Sequence, residues 1–221
     1  EGQDGARDGI IFSPAGIVEA FYPSVRGGEA LYMLLSGKTN RWGKLPVTIY
    51  PAAYTEEVDM HDFEMAKAPG RTYRYYTGKA LFPFGFGLSY TRFKTTCTQS
   101  CSVLPVTVTC RVANVGGREG DAVLQVYHRP STKGAPPPRH PVPIKALVDF
   151  ARISLPAGSE DLVEFVLPLG AAAVTTRTGA KVAVKGEHVF EISDGTGDEP
   201  AATINAIVVA TTVVDRPPRP S

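Results

Sequence analysis

Several things are scarce or missing in this sequence, and each narrows what the chain can be. No apolar run approaches the roughly 20 residues of a membrane-spanning helix. Neither sign of charge dominates: 23 Lys and Arg face 22 Asp and Glu. That balance argues against nucleic acid or an anionic membrane surface as the partner. There are three cysteines and four histidines, with no paired Cys-x-x-Cys, and His128, His140 and His188 are scattered. Such spacing argues against a metal centre. No Asn-x-Ser/Thr acceptor is present, and no basic stretch followed by an apolar one marks a leader peptide. Gly85-Phe-Gly87 lacks the strand-then-helix setting of a dinucleotide loop, and Ser89 has no His/Asp partner in its sequence context.

What the chain does have is glycine and proline, 22 and 19 of its 221 residues, which favour turns and β structure over long helices. Residues 1–15 read as a charged, Gly-rich, ragged terminus. Gly16–Tyr22 reads as a strand ending at Pro23, Glu29–Leu35 as a short helix stopped by Gly37, and Leu45–Tyr50 as a second strand. That strand–helix–strand order belongs to an α/β layer, but it is too little for a whole domain. After Cys97 the texture changes. Seven strands are predicted: Val103–Asn114, Ala122–His128, Ile144–Leu155, Asp161–Leu167, Lys181–Val184, His188–Ser193 and Ile204–Val214. Seven short strands without a helix point to an antiparallel sandwich. The loop Arg129–Pro143 holds six prolines and reads as extended and exposed, and Arg216–Ser221 as a disordered Pro-rich tail.

The alternation in Val106–Val112 places Cys110 among valines, as a small buried apolar residue. The spacing leaves a Cys97–Cys101 disulfide open. Asp59, Asp62 and Glu64 around Met60 and His61 read as a solvated loop rather than a carboxylate–histidine site.

Between these halves lies Pro69–Thr91, which crowds aromatics, arginines, prolines and glycines into one crossing. Pro83 fixes φ, Gly85 and Gly87 open conformations closed to other residues, and Phe82, Phe84 and Phe86 carry a large apolar area. Arg71, Tyr73, Arg74 and Tyr75 admit two readings. They could line a sugar site, by stacking and hydrogen bonding, or they could cement two domains by packing and cation–π contacts. The rigid Pro/Gly grammar favours the second.

This segment resembles the one that, in family 3 glycoside hydrolases (β-xylosidase- and β-glucosidase-like, and especially the β-xylosidase and α-arabinofuranosidase-like branch), hands an α/β-sandwich domain over to a fibronectin type III-like domain. Glu19–Ala30 with Arg41–Thr48 lies upstream of it. Val112–Gly116, Gly120–Tyr127 and Pro156–Gly158 lie downstream. All are similar to family motifs and stand in the family's order. The resemblance implies a mainly β chain in three parts. Residues 1–95 are the end of an α/β-sandwich domain with its aromatic connector, 96–215 a fibronectin type III-like antiparallel sandwich, and 216–221 a tail. It implies retaining hydrolysis of terminal β-linked sugars, as in xylan breakdown in plant cell walls, with oligosaccharide as substrate and no cofactor. It also implies an extracellular setting.

Such hydrolysis uses two carboxyl groups. In the family the nucleophile is an Asp on an N-terminal barrel that this chain does not contain. The acid/base is commonly a Glu in a Glu-Gly-x-Asp context. Glu1-Gly-Gln-Asp4 has those letters, but only about twenty residues separate it from the Tyr-Pro turn, against several tens in the family. Glu1 is thus a weak candidate, and the chain alone is expected to be inactive. The rival expectations are a free-standing, non-catalytic sandwich that binds carbohydrate or protein, and a truncated copy with no role of its own.

Overall fold

A computed structural model describes residues 16–130, 141–176, 178–196 and 199–215. The architecture is mainly β. Among the described residues, ten strands form three antiparallel sheets. The first sheet has the order β1-β2-β5, from Phe93–Gln99, Val106–Asn114 and Glu160–Leu167. The second, β4-β3-β8-β9, uses Ala146–Leu155, Gly120–Arg129, Gly186–Ser193 and Ala202–Val208. The third is small, β10-β7-β6, from Thr212–Asp215, Lys181–Ala183 and Ala173–Thr175.

The first two sheets face each other because their strands alternate. On β2, Val106, Val108, Cys110 and Val112 are at most 1% exposed, while the residues between them are more open. Val163, Phe165 and Leu167 of β5 do the same, as do Phe190 and Ile192 of β8 and Ile204, Ala206 and Val208 of β9. These side chains form one continuous core with Ala122, Leu124 and Val126 of β3. Residues i and i+2 of a strand share a face, so a period of two fixes which side is buried.

Strand β3 departs from this pattern. Its outward residues Gln125 and Tyr127 are 6% and 2% exposed, as buried as its inward ones. The reason lies upstream: the segment before β1 lies over the outer face of β3. That segment carries little regular structure, namely α1 (Gly27–Leu35) and two single-turn helices, α2 (Tyr54–Glu57) and α3 (Thr72–Tyr75).

Several expectations need correction. Gly16–Tyr22 is not a strand, and Leu45–Tyr50 reduces to one bridge, Ile49 with Phe82. A strand needs a continuous neighbour for its backbone groups, and here the crossing bonds it at two separate places, Gly85 and Phe86 to Leu45 and Leu81 and Phe82 to Ile49. The stretch Ile204–Val214 breaks into β9 and β10. Two unforeseen strands appear, β1 and β6, and Leu169–Ala172 makes a turn of 3-10 helix. Cys97 pairs with Cys110, not Cys101, because the β1–β2 register sets the two cysteines directly opposite each other. Cys101 is free and exposed. Most of the Arg129–Pro143 loop, and the whole Arg216–Ser221 tail, lie outside the described residues.

Candidate functional site at the aromatic joint

Around Tyr127 the crossing and the sandwich meet through ring contacts. Tyr73 stacks on Phe84 at 4.2 Å between centroids and meets Tyr127 edge-on at 5.9 Å. Phe84 meets Tyr127 edge-on at 6.4 Å. Lys145 lies over the other side of the joint, its Nζ 4.6 Å from the Tyr127 ring centre. Such arrangements match the ring quadrupole.

Polar contacts fix the register. The Tyr127 hydroxyl donates to Gln125 Oε1 at 2.6 Å, and Gln125 Nε2 donates to the Gly85 carbonyl at 3.3 Å. The Leu147 N–H donates to the Tyr73 hydroxyl and the Ile144 N–H to the Arg74 carbonyl. The Gly87 N–H donates to the Gly195 carbonyl. Gly85 has φ of +82°, and a Cβ there would run into Gln125 Oε1 and the Tyr127 hydroxyl. A glycine is the residue that meets both demands. Burial, then the neighbouring Tyr73, raises the Tyr127 phenol, so it stays protonated and donating. Burial lowers the Lys44 ammonium, with Asp194 opposing; its Nζ donates to the Gly87 carbonyl.

A second set of contacts runs through two asparagines and an aspartate. Asn40 Oδ1 accepts from the Ser89 hydroxyl and the Tyr90 N–H, and its Nδ2 donates to the Glu119 carbonyl. Asn114, 1% exposed, accepts from the Thr91 hydroxyl and the Gly116 N–H. It donates to the Arg118 and Leu155 carbonyls. Asp121 accepts from Ser154 and Arg152, with Arg41 near. Burial pushes its carboxyl up, but the hydrogen bonds from Ser154 and Arg152 and the two guanidinium charges outweigh it and hold the group below the usual carboxylate range.

The residues singled out in the crossing fall into distinct settings. Tyr73 and Phe84 are in the joint. Arg71 spends its guanidinium on the Asp59 and Asp62 carbonyls, within its own loop. Arg74 reaches β4's approach through its backbone. Phe82 and Phe86 pack on each other at 5.8 Å. Tyr75 is half-buried, beside Gly70. Glu1 lies outside the described residues. Asn40, Asn114 and Gln125 join this set without a sequence signal of their own: Asn114 and Gln125 are polar letters inside otherwise apolar motifs, and Asn40 lies in the polar stretch Ser36–Arg41. His61 pairs with Asp59 on the surface, and Lys67 with Asp62. Among the described residues no group of His, Cys, Asp and Glu is arranged to hold a metal ion.

Two hollows flank the joint. One, about 80 Å³, lies among Phe84, Phe86, Tyr127, Lys145 and Glu191. It is far below the roughly 300 Å³ at which ligand pockets begin. The other is an open cleft of about 810 Å³ between α1 and the β2–β3 turn, bordered by Met33, Leu34, Arg41, Arg118 and Asp121, with no aromatic ring among its lining residues. Helix α1 itself buries none of its residues, and Tyr32, Met33 and Leu35 face solvent.

Comparison with known proteins accounts for this arrangement. Residues 11–90 match the glycosyl hydrolase family 3 C-terminal domain and residues 122–196 the fibronectin type III-like domain. A probable exo-1,4-beta-xylosidase of Aspergillus fumigatus is 33% identical over 225 residues, covering 91% of this chain and 28% of that protein. An exo-1,4-beta-xylosidase of Emericella nidulans is 34% identical over 209 residues, covering 83% and 26%. Among solved structures, a family 3 exo-beta-xylosidase in complex with a xylobiose aziridine probe superposes with a TM-score of 0.72 at 26% identity, covering 86% of this chain and 27% of that one. A beta-glucosidase of Streptomyces venezuelae in complex with D-glucose gives 0.67 at 26% identity, covering 82% and 25%. The chain therefore spans less than a third of the length of the relatives it matches. With both domains matched in order and joined by the crossing, the chain belongs to glycoside hydrolase family 3, as the C-terminal portion of its architecture.

Proposed function

We propose that this chain serves as the non-catalytic C-terminal part of a retaining β-xylosidase-like hydrolase, outside the cell, acting on terminal β-linked sugars of xylan-type oligosaccharides. The observation that carries the reading is the joint: the aromatic crossing covers the outer face of β3 through Tyr73, Phe84 and Gly85. A buried joint holds two layers in one orientation and makes the sandwich a buttress for whatever packs on the first layer. The bare apolar side chains of α1 fit a layer that receives more protein, namely the N-terminal part that the family resemblance implies.

Retaining hydrolysis needs two carboxyl groups about 5–5.5 Å apart beside the sugar. Among the described residues, the carboxylates bordering the two hollows are Glu191, Glu119 and Asp121. Glu191 is paired with Arg129 and Asp121 is held by Arg152. That supports inactivity of the chain by itself. The absence of an aromatic platform in the larger cleft disfavours the rival reading of a sugar-binding module.

Assaying the 221-residue chain with a chromogenic β-xyloside is expected to show no turnover. A chimera in which this chain replaces the corresponding C-terminal part of the Aspergillus fumigatus relative is expected to hydrolyse it. Turnover by the isolated chain would refute the proposal.

A further inference from the structure

Two histidines that the joint does not use meet inside the sandwich. His128 and His188 are 1% and 3% exposed, and His128 Nε2 lies 2.8 Å from His188 Nδ1. His188 Nε2 lies 2.8 Å from the Val184 carbonyl. We propose that this pair is a proton-operated latch, holding the turn that leaves the small sheet against the four-stranded sheet only while both rings are neutral.

The protonation state follows from the partners. A carbonyl only accepts, so His188 must carry its hydrogen on Nε2. In a neutral ring that leaves Nδ1 as the acceptor, and His128 must donate from Nε2. The chain of donors thus runs from β3 through β8 to the residue that follows β7. Lys185, next in sequence, donates its N–H to the Thr211 hydroxyl beside β10. The latch therefore sits where the small sheet hangs from the sandwich.

Adding a proton defeats it by either route. On His188 Nδ1, it would set two N–H groups against each other across the 2.8 Å contact. On His128, it would leave the donors in place but bury a cation beside the Phe190 ring, 5.2 Å away. Among the described residues, the surroundings offer no counter-charge from within. Ala206 stands opposite His188 on β9, and the inward residues of β2 and β5 carry no charge: all are apolar but Asn114. The charged groups nearby lie on the outer face or the turn: Arg129 is paired with Glu191, Lys145 sits over Tyr127, and Glu187 and Lys185 flank His188 in sequence. Consistent with this geometry, burial and then the neighbouring His188 push the His128 imidazole down to about 3.

The His128 ring, released by local opening, regains its ordinary value near 6.5, so opening that frees it is favoured about thirtyfold at pH 5. The test is amide hydrogen exchange on the full chain at pH 7.5 and pH 5.0, each corrected for intrinsic rates. Protection of Val182, Val184 and Lys185 is expected to fall at least tenfold more than that of Val108 and Phe165. In the double variant His128→Gln with His188→Gln, which keeps a neutral donor and acceptor at each position and leaves no ring to charge, the drop is expected to vanish. Nitrogen-15 spectra of the wild-type rings at pH 7.5 give a readout that needs no variant. Protons on Nε2 of both rings are expected. A proton on His188 Nδ1, unchanged protection at pH 5, or an equal loss across all sheets would overturn the latch.

Discussion

Gln125 shows how much one polar side chain can organise. It sits on the outer face of a strand, where solvent would normally satisfy it, yet it is buried and bonded to both Tyr127 and Gly85. Replacing Gly85 by Ala is expected to cost about 1–3 kcal/mol, since the residue would hold a left-handed φ and crowd that pair. A urea titration of the two chains measures it. Asn114→Ala would leave the Thr91 hydroxyl and the Leu155 carbonyl without their partner, at about 1–3 kcal/mol for each group left unsatisfied. Phe84→Ala is expected to lose somewhat less than the 3–5 kcal/mol of a fully buried phenylalanine, about 2–3 kcal/mol, because Phe84 is half-buried. The same change in the xylosidase chimera should lower its melting temperature while leaving KM nearly unchanged. A Tyr73→Ala chimera that melts normally but loses kcat/KM tenfold would place Tyr73 at a sugar instead. These residues were legible unevenly. Tyr73 and Phe84 stand out as aromatics in a dense segment, whereas Gln125 reads as the solvent-facing letter of an alternating strand. Its burial depends on a segment forty residues upstream, which no local pattern contains.

At the scale of elements, alternation located β2, β3, β5 and β8 because one face of each is apolar. It missed β1, whose partly buried positions are Phe93, Thr95, Cys97 and Gln99. Two of these are polar, so no apolar rhythm marks the strand. What fastens β1 is pairing with β2 along seven residues and the Cys97–Cys110 bridge. Closing a loop of this length contributes about 3 kcal/mol in the chain-entropy view. Cys97→Ala with Cys110→Ala is expected to lower stability by roughly that amount, less whatever the alanines recover by packing; reduction of the wild type should match it in a denaturant titration. Limited proteolysis is expected to leave a resistant piece that begins before Phe93, since a cut farther along would sever β1 from its sheet. Resistant fragments starting at residue 103 would contradict the role assigned to β1. The strands expected in the first fifty residues failed for a different reason. Their sequences are β-like, but extended chain becomes a strand only beside a continuous partner, and Leu45 and Ile49 meet the crossing at two separate places, with one bridge between Ile49 and Phe82.

For the whole molecule, acid is the discriminating stress. The His128 ring has a folded value depressed below its unfolded one, so its contribution is fully present above pH 6.5. It is lost progressively as pH falls from there toward about 3. Asp121 is also depressed, relative to an ordinary carboxylate near 3.8, so its contribution fades only at lower pH. Of these two groups, His128 is the one that acts between pH 6.5 and 4.5. Thermal melts across that range should show a steady decline in the wild type and a flatter profile in His128→Gln; equal slopes would refute the assignment. At this scale the sequence reading went furthest, because the order of motifs along the chain carries the domain order directly. The joint between the domains was legible as a place, from its prolines, glycines and rings, but not as a set of bonds.

The joint also sets a timetable. The crossing leaves the ribosome well before the strand it covers, and Gly87 must wait for Gly195, roughly a hundred residues later, to accept its N–H. At about 5–20 residues per second that interval is on the order of 5–20 s. During it, Tyr73, Phe84 and Phe86 have no completed sandwich to cover, so the nascent segment presents its rings to water until the last strands arrive.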